Sequence, residues 1–330
     1  MSITYEDVLN DLETGRIYTA IFTSANKAWL KYCYHFSHIE NVISILEDGE
    51  LLSRTLAIST KKMLNNNASQ AVIDQTKLEY QDYVRLYFRP KTPTQFHNEG
   101  FKTKKQLEQS SLDAQCPVPV FLFLDIRKVL NHPDALFTEK GLASGDEVLL
   151  YSTPEEFKVL PFDKIYHDQP LTHEEKSTIV GHRHAEIILP NRFPIKEYLQ
   201  KIVVRTPAEK ETLLALMSSR VKDEYGHLIQ IDSTNNIFFS RWTHVGKVNL
   251  HQNSFDLEFR SSSKYQKFDL SLEFTDVSGT PLTHDVKDWK GISKSSFNFQ
   301  SPHDEYELTI RFDGHLMYKG YFKQEENIPF

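Results

Sequence analysis

The sequence predicts an α+β domain followed by a smaller all-β domain. Two observations support this division. Apolar strands and helices alternate up to about residue 224, whereas residues 225–330 consist of short alternating stretches separated by turn residues. The length of 330 residues also suits a catalytic domain of about 200 residues plus a smaller module. The expected domains are therefore 1–224 and 225–330.

Local patterns predict the elements of the first domain. Residues 31–37 are rich in Tyr and Phe and predict a strand. Residues 38–48 predict a helix with an apolar face that ends at Gly49. The remaining predicted elements are a helical N-terminal segment at 1–30, a polar loop at 59–81, strands at 83–89, 118–126, 184–189 and 202–204, and a helix at 207–221.

The second domain is predicted to be a β-sandwich of about seven strands, because short alternating stretches recur between turn residues. Ser278-Gly279 and Asp313-Gly314 are turn signals. The predicted strands are 236–242, 246–250, 254–260, 266–275, 295–299, 305–311 and 316–322.

Composition excludes several classes of protein. No apolar run approaches the ~20 residues that a membrane helix needs, and the first residues lack the features of a signal peptide. The two cysteines, Cys33 and Cys116, form neither a disulfide framework nor a zinc knuckle. A cytoplasmic protein without a metal is therefore expected.

The net charge of −7 argues against a protein that coats duplex DNA by neutralising phosphates. A nucleic-acid enzyme with a local basic groove stays open, as does ordinary solvated surface. The local basic residues are Lys61, Lys62, Arg85, Arg89, Lys91, Lys102, Lys104 and Lys105.

Three motifs carry residues suited to chemistry. In the first, His35 and Ser37 end a strand and Asn41 lies in the following helix, an arrangement that suits a sugar and its flanking amide. The same residues are also compatible with a purely structural role. In the second, residues 84–96 combine aromatic and basic side chains, which suits stacking on a base or on nicotinamide. An ordinary core strand with a charged edge is the alternative.

The third motif places Glu186 in the middle of an apolar strand. Burying an unpaired carboxylate costs several kcal/mol. Either Arg183 or another cation pairs with it, or it borders a cleft and takes part in chemistry.

Together the three motifs, over roughly residues 31–205, resemble DarT-type (DUF4433-like) nucleic-acid-base ADP-ribosyltransferase toxins. This resemblance implies an ADP-ribosyltransferase-like split β-sheet core with flanking helices, and NAD as a substrate. It implies that Glu186 and His35 belong to the catalytic residues, that His35 acts by binding the ribose and that Ser37 holds nicotinamide. The other cofactor-binding residues that it implies are His38, Asn41, Tyr87, Phe88 and Phe96.

The chain departs from the family pattern on the acceptor side. Lys91 stands where the family has Arg, and there is no arginine between Arg54 and Arg85. Lys77 is the nearest substitute for that arginine, and Arg54 or Arg85 can serve instead; of these, Arg54 is the predicted catalytic residue. The residues expected to bind nucleic acid are Arg85, Arg89, Lys91, Lys102 and Arg183.

The expected function is NAD-dependent mono-ADP-ribosylation of a base in single-stranded DNA, since chemistry on a base requires it to be unstacked. The resemblance also implies a toxin, a macrodomain antitoxin and a role in phage defence. RNA bases are the alternative acceptor. A recognition module without catalysis, a metal-dependent nuclease and a protein ADP-ribosyltransferase are the competing hypotheses.

Overall fold

The computed structural model describes residues 2–21, 25–66, 74, 76–110, 114–143, 147–260, 262, 266–279, 281–291 and 293–324. The α-helices in this part of the chain are α1 (Tyr5–Thr14), α2 (Ile39–Asp48), α3 (Arg54–Ser59), α4 (Pro93–Asn98), α5 (Lys104–Glu108), α6 (Ile126–Leu130), α7 (Pro154–Lys158), α8 (Phe162–Ile165), α9 (His173–Ile179), α10 (Pro207–Leu216) and α11 (Ser219–Tyr225). Short 3₁₀ helices occupy Asn26–Lys31, Leu78–Asp82, His182–His184 and Gly226–Leu228.

The strands form one sheet in the first part of the chain, one small accessory sheet, and two sheets in the last part. Those of the first part are β1 (Tyr32–His38), β2 (Glu50–Leu52), β3 (Tyr83–Tyr87), β4 (Pro119–Asp125), β5 (Leu136–Phe137), β6 (Glu186–Pro190), β7 (Arg192–Pro194), β8 (Leu199–Val204) and β9 (Ile229–Ile231). Those of the last part are β10 (His244–His251), β11 (Ser254–Arg260), β12 (Phe268–Asp276), β13 (Pro281–Trp289), β14 (Lys294–Asn298), β15 (Glu305–Phe312) and β16 (His315–Lys323).

The main sheet has the order β5-β6-β3-β1-β4-β8-β9. All seven residues of β1 pair with β4, but β1 and β3 share a single register pair, Tyr34 with Tyr87. The sheet therefore splits between β1 and β3. This is the split sheet that the resemblance implies, and it leaves room for a cavity between the two strands.

Helix α2 begins and ends where the sequence predicts. The imidazole of His38 accepts the backbone N–H of Glu40 at 3.3 Å and so caps the first turn. Gly49 ends the helix with φ +71°, a left-handed conformation that glycine adopts without strain. Because Ile39, Val42 and Leu46 are fully buried, this helix is fixed on the core.

Three predicted elements are shorter than expected. The N-terminal helix covers only Tyr5–Thr14, because Gly15 caps it in the left-handed conformation. The strand predicted at 83–89 ends at Tyr87, and the helix predicted at 207–221 breaks at Met217 before α11 begins. Part of the loop predicted at 59–81, namely residues 67–73 and 75, lies outside the described residues.

The last part of the chain is an antiparallel sandwich of a three-stranded sheet (β10-β11-β14) and a four-stranded sheet (β13-β12-β15-β16). Its core is rich in rings; Phe268 and Phe312 lie 4.3 Å apart, for example. The strand predicted at 236–242 is wrong, because the carboxylate of Asp232 accepts backbone N–H groups of Asn236, Ile237 and Phe238 and holds them in a loop. Strand β13 was not predicted, because it is mostly exposed and lacks an apolar alternation.

The two parts of the chain are packed together. Strand β9 pairs with β8 in the main sheet, so the change from one sheet to the next falls between Ile231 and His244. The hydroxyl of Thr206 donates to the carbonyl of Val245, and Phe101 is buried in the core of the sandwich. Among the described residues, no helix is long and apolar enough to cross a membrane.

Candidate active site

The split between β1 and β3 opens into a cavity of about 220 Å³. Strand β1 contributes His35, Phe36 and Ser37 to its wall, and β3 contributes Tyr87. Helix α4 and the segment before it close another side with Thr92, Thr94, Gln95 and Asn98. The remaining lining residues are Asn41, Ser44, Ile45, Asp48, Glu50, Leu51, Leu52, Arg54, Ala57, Lys62, Met63 and Asn65.

His35 is held by a contact with the backbone of β3, at the point where the sheet splits. Its Nδ1 lies 3.4 Å from the carbonyl oxygen of Arg85 on β3, where the two strands no longer pair. Burial lowers the pKa of His35 to about 4, although the contact with the Arg85 carbonyl opposes this shift. The imidazole is therefore neutral at pH 7 and forms hydrogen bonds without adding positive charge to the cavity.

Asn41 binds the segment that covers the cavity. Its Oδ1 accepts the backbone N–H groups of Leu64 and Asn65, both at 2.9 Å. Its Nδ2 donates to the carbonyl of Asn65 at 2.8 Å and to the hydroxyl of Ser37 at 3.3 Å. Asn41 thus connects strand β1, helix α2 and the loop after α3.

Glu186 and Arg85 form a bidentate ion pair next to the cavity. Nε and Nη2 of Arg85 donate to the two carboxylate oxygens of Glu186, both at 2.6 Å. The Glu186 side chain is 1% exposed and that of Arg85 is 26% exposed. Burial raises the pKa of Glu186, and the guanidinium of Arg85 opposes this rise. Neither residue lines the cavity, but Glu186 is the backbone register partner of Tyr87, which does.

A second contact connects the start of β6 with helix α4. The ring Nε2 of His184 lies 3.2 Å from the backbone N–H of Thr94 and 3.1 Å from its hydroxyl. Thr94 lines the cavity, and His184 is two residues before Glu186. Burial lowers the pKa of His184 to about 4, and the positive charge of Arg85 adds to the shift. A neutral His184 therefore holds α4 against the strand that carries Glu186.

Comparison with known families shows which family the chain belongs to. The family model described as "ssDNA thymidine ADP-ribosyltransferase, DarT" matches residues 34–239, which is more than half of the chain. The chain belongs to the DarT family. It is therefore an NAD-dependent ADP-ribosyltransferase that modifies single-stranded DNA, as the three motifs predicted. The predicted ADP-ribosyltransferase fold and the use of NAD as a substrate are confirmed in the same way.

Solved structures of DarT proteins are similar to the chain at low identity. Thermus sp. 2.9 DarT in complex with NAD⁺ is 18% identical, with a TM-score of 0.44, over 61% of this chain and 94% of that one. The same Thermus protein in complex with ADP-ribosylated ssDNA is 16% identical, with a TM-score of 0.43, over 63% and 96%. Thermosipho africanus DarTG in complex with ADP-ribose is 18% identical, with a TM-score of 0.47, over 68% and 54%. A search of curated proteins finds no match.

Five of the residues that the sequence predicted for the site line the cavity together, namely His35, Ser37, Asn41, Arg54 and Tyr87. Arg54 donates to the amide oxygen of Asn66 at 3.0 Å. Burial, together with the nearby charge of Arg85, lowers the pKa of Arg54. Lys77, the alternative to Arg54, instead lies over the ring of Tyr80 at 5.9 Å.

Three residues that were expected to bind NAD do not line the cavity. His38 is 1% exposed and caps helix α2. Phe88 is fully buried, and its ring packs against Phe157 at 6.0 Å. Phe96 is 37% exposed, and its ring lies on the outer side of α4 against Phe239.

Most of the residues expected to bind nucleic acid have partners inside the protein. Arg89 is 2% exposed and donates to the carbonyls of Pro90, Ile165 and His167. Lys102 is 1% exposed and donates to the carbonyl of Ala114.

Two more of these residues also bond to backbone carbonyls. Arg183 contacts Nδ1 of His167 and donates to the carbonyl of Gln169. Lys91 donates to the carbonyl of Asn235 at 2.7 Å. Arg85 differs from the other four, because its partner is the carboxylate of Glu186.

Sequence reasoning missed the contribution of helix α4. Thr94, Gln95 and Asn98 line the cavity, and Thr94 contacts His184. A signal was available, since Thr92 and Pro93 form a typical helix start with Thr92 accepting the backbone N–H of Gln95. No group of three or more His, Cys, Asp or Glu side chains in the described part of the chain is arranged to hold a metal ion.

Proposed function

We propose that the chain transfers ADP-ribose from NAD to the thymine base of a single-stranded DNA, with Glu186 as the catalytic carboxylate. The observation that supports this assignment is the buried Glu186–Arg85 pair, in which Glu186 is the register partner of Tyr87, a residue that lines the cavity with His35 and Ser37. A carboxylate buried in this way is retained at a cost in stability, which a catalytic role explains.

In the reaction, the bond between nicotinamide and the ribose C1′ breaks, and its electron pair leaves with nicotinamide. Positive charge develops at C1′ as in glycoside hydrolysis, and an anion beside it lowers the barrier. Within a DNA strand, thymine has a single N–H group. Its nitrogen forms the new bond to C1′, and its proton passes to Glu186 as the general base.

The carboxylate of Glu186 can serve these roles while it is paired. Two carboxylate oxygens offer about four acceptor positions, and Arg85 occupies two of them. We assign the others to a ribose hydroxyl and to the thymine N–H. The raised pKa of Glu186, which results from its burial, makes it a better proton acceptor than an exposed glutamate.

We assign His35 to the ribose and Ser37 to the carboxamide of nicotinamide. A neutral imidazole can bond to a ribose hydroxyl without repelling the charge that develops at C1′. Arg54 lies at the first turn of α3 on the wall of the cavity, and we assign it to a phosphate of NAD. Asn41 has an indirect role, since it positions Ser37 and the covering loop.

The biological context is part of the proposal. Modification of single-stranded DNA blocks its use as a replication template, which suits a cytoplasmic toxin. We propose that a macrodomain antitoxin removes the modification and that the toxin acts in phage defence. If this is correct, expression of the wild-type chain arrests growth, and Glu186→Gln relieves the arrest.

The decisive experiment uses NAD labelled in its ADP-ribose part. The acceptors are a single-stranded DNA with one thymidine, the same DNA without thymidine, an RNA of matching sequence and total cell protein. Label is expected only in the DNA with thymidine, and it should be lost in Glu186→Gln.

Glu155→Gln is the matched control, because Glu155 is exposed and far along the chain from the cavity residues. Thermal unfolding confirms that each variant is folded. Label in RNA or protein instead of DNA contradicts the choice of acceptor. Wild-type activity in Glu186→Gln contradicts the catalytic assignment.

A further inference from the structure

Rings and cations alternate on the surface next to the cavity. The guanidinium carbon of Arg241 lies 4.5 Å from the ring centroid of Phe96 and 5.0 Å from that of Trp242. The rings of Phe96 and Phe239 meet edge to face at 5.2 Å, and the ammonium of Lys91 lies 5.8 Å from Phe239. We call these five residues the ring–cation row.

The row is built on buried supports. The carboxylate of Glu99, 1% exposed, accepts the backbone N–H groups of Phe239 at 2.9 Å and Ser240 at 2.7 Å. The amide of Gln95 donates to Glu99 and to the carbonyl of Ile237, both at 2.8 Å. These bonds hold the segment that carries the row against helix α4, so the rings do not need to be ordered when a ligand binds.

The row is connected to the segment of Glu186 through helix α4. Phe96 is two residues after Thr94, which lines the cavity and contacts His184. His184 in turn is two residues before Glu186 on the same segment. Phe96 itself faces outward rather than into the cavity, with 37% of its surface exposed. We therefore expect a strand whose acceptor base reaches Glu186 to pass close to the row.

The cations of the row have no carboxylate partner within 4.0 Å in the described part of the chain. Arg241 is exposed and lies between two rings. Lys91 bonds to the carbonyl of Asn235, which does not neutralise its charge. Both charges therefore remain available to phosphates, although the chain as a whole carries −7.

We propose that the ring–cation row holds the nucleotides that flank the acceptor thymidine in single-stranded DNA. Bases stack on the exposed ring of Phe96 and on the accessible parts of Phe239 and Trp242, and Arg241 and Lys91 meet the neighbouring phosphates, as in grooves that bind single strands without reading every base. This inference rests on the proposed function, since it assigns the row to the acceptor strand of the same site. Of the residues expected to bind DNA from the sequence, it retains only Lys91.

The test measures binding of a fluorescein-labelled single-stranded DNA by anisotropy, in a Glu186→Gln background so that the DNA is not modified. Phe96→Ala and Arg241→Ala are each expected to weaken binding about 10-fold. Arg241→Ala should also lower the slope of log affinity against log salt by about one. Phe96→Trp and Arg241→Lys, which keep the ring and the charge, should restore most of the affinity.

Tyr18→Ala and Arg16→Ala are the matched controls, because Tyr18 is 69% exposed and Arg16 is 67% exposed on another part of the surface. Affinity of the Phe96 and Arg241 variants within twofold of these controls overturns the proposal. A larger loss for RNA of matching sequence than for DNA overturns the assignment to DNA.

Calorimetric titration with NAD separates the two proposals. If Phe96→Ala weakens NAD binding as much as DNA binding, the row belongs to the cofactor and this inference is wrong. If the wild-type chain labels no DNA but Phe96→Ala still weakens DNA binding selectively, the row is supported and the proposed reaction fails.

Discussion

Replacing Arg85 by Met is expected to leave Glu186 buried without its partner. The methionine fills a similar volume but donates no hydrogen bond. Glu186 is 1% exposed and both of its oxygens bond to Arg85, so the structure offers the carboxylate no comparable replacement. Breaking a buried pair by removing one partner costs about 3–5 kcal/mol of unfolding free energy. Because Arg85 is itself 26% exposed, we expect the lower end, about 3 kcal/mol, at pH 8.

The loss should depend on pH in a defined direction. Burial raises the pKa of Glu186, and removing the guanidinium that opposes this rise raises it further. Folded Arg85→Met then binds a proton more tightly than the unfolded chain, so its stability decreases as the pH rises. The deficit relative to wild type is therefore larger at pH 8 than at pH 5, because the lower pH favours the neutral form of the unpaired carboxyl.

Urea unfolding of both proteins at pH 5 and pH 8 measures these differences. Arg192→Met is the matched control, because Arg192 forms an ion pair with Glu50 while it is 56% exposed. It should change stability by less than about 1 kcal/mol at either pH. A deficit for Arg85→Met no larger than this control, or one that does not change between the two pH values, refutes the reasoning.

Two more predictions follow from the hydrogen bonds. Asn41→Ala should raise the KM for NAD about 10-fold with little change in kcat, because the loop at Leu64 and Asn65 loses its hydrogen bonds to helix α2. Initial rates over a range of NAD concentrations test this, and an unchanged KM contradicts it. Arg89→Met should lower the unfolding free energy in urea by about 2 kcal/mol, since Arg89 donates to buried carbonyls. Its affinity for single-stranded DNA, measured by anisotropy, should be unchanged, and weaker DNA binding by the fully folded variant contradicts this.

The sequence predicted the elements with strong local signals. Helix α2 was recognised because its apolar face and its terminal Gly49 lie within one short segment. Strand β4 was recognised because it is buried on both faces and reads as a continuous apolar run. The prediction failed in the loop after Asp232. An alternating pattern there predicted a strand, but the Asp232 carboxylate accepts the backbone N–H groups of Asn236 and Ile237 and holds them in a loop.

Some of the basic residues were also mispredicted because their partners are distant in the sequence. A positive charge in the sequence was interpreted as a contact for phosphate, but Arg89 and Lys102 are buried and bond to backbone carbonyls. Their partners, Ile165 and Ala114, are brought near by the fold and carry no signal in the sequence. Charge alone therefore does not separate a groove for DNA from a structural cation. For Arg241, the proposal of a DNA contact rests on exposure and neighbouring rings as well as on charge.

For Glu186, the sequence predicted the need for a partner but not which residue supplies it. A carboxylate in an apolar strand required either a cation or a role at a cleft, and Arg183 was the nearest cation in the sequence. Arg183 instead contacts His167 and Gln169, because it lies in the 3₁₀ turn before the strand. The partner is Arg85, brought alongside by the antiparallel register of β3 and β6, in which Tyr87 is opposite Glu186. The alternative of a paired carboxylate is thus confirmed with another cation than Arg183, whereas a role in chemistry stays a prediction, supported by the register that sets Glu186 beside the cavity residue Tyr87.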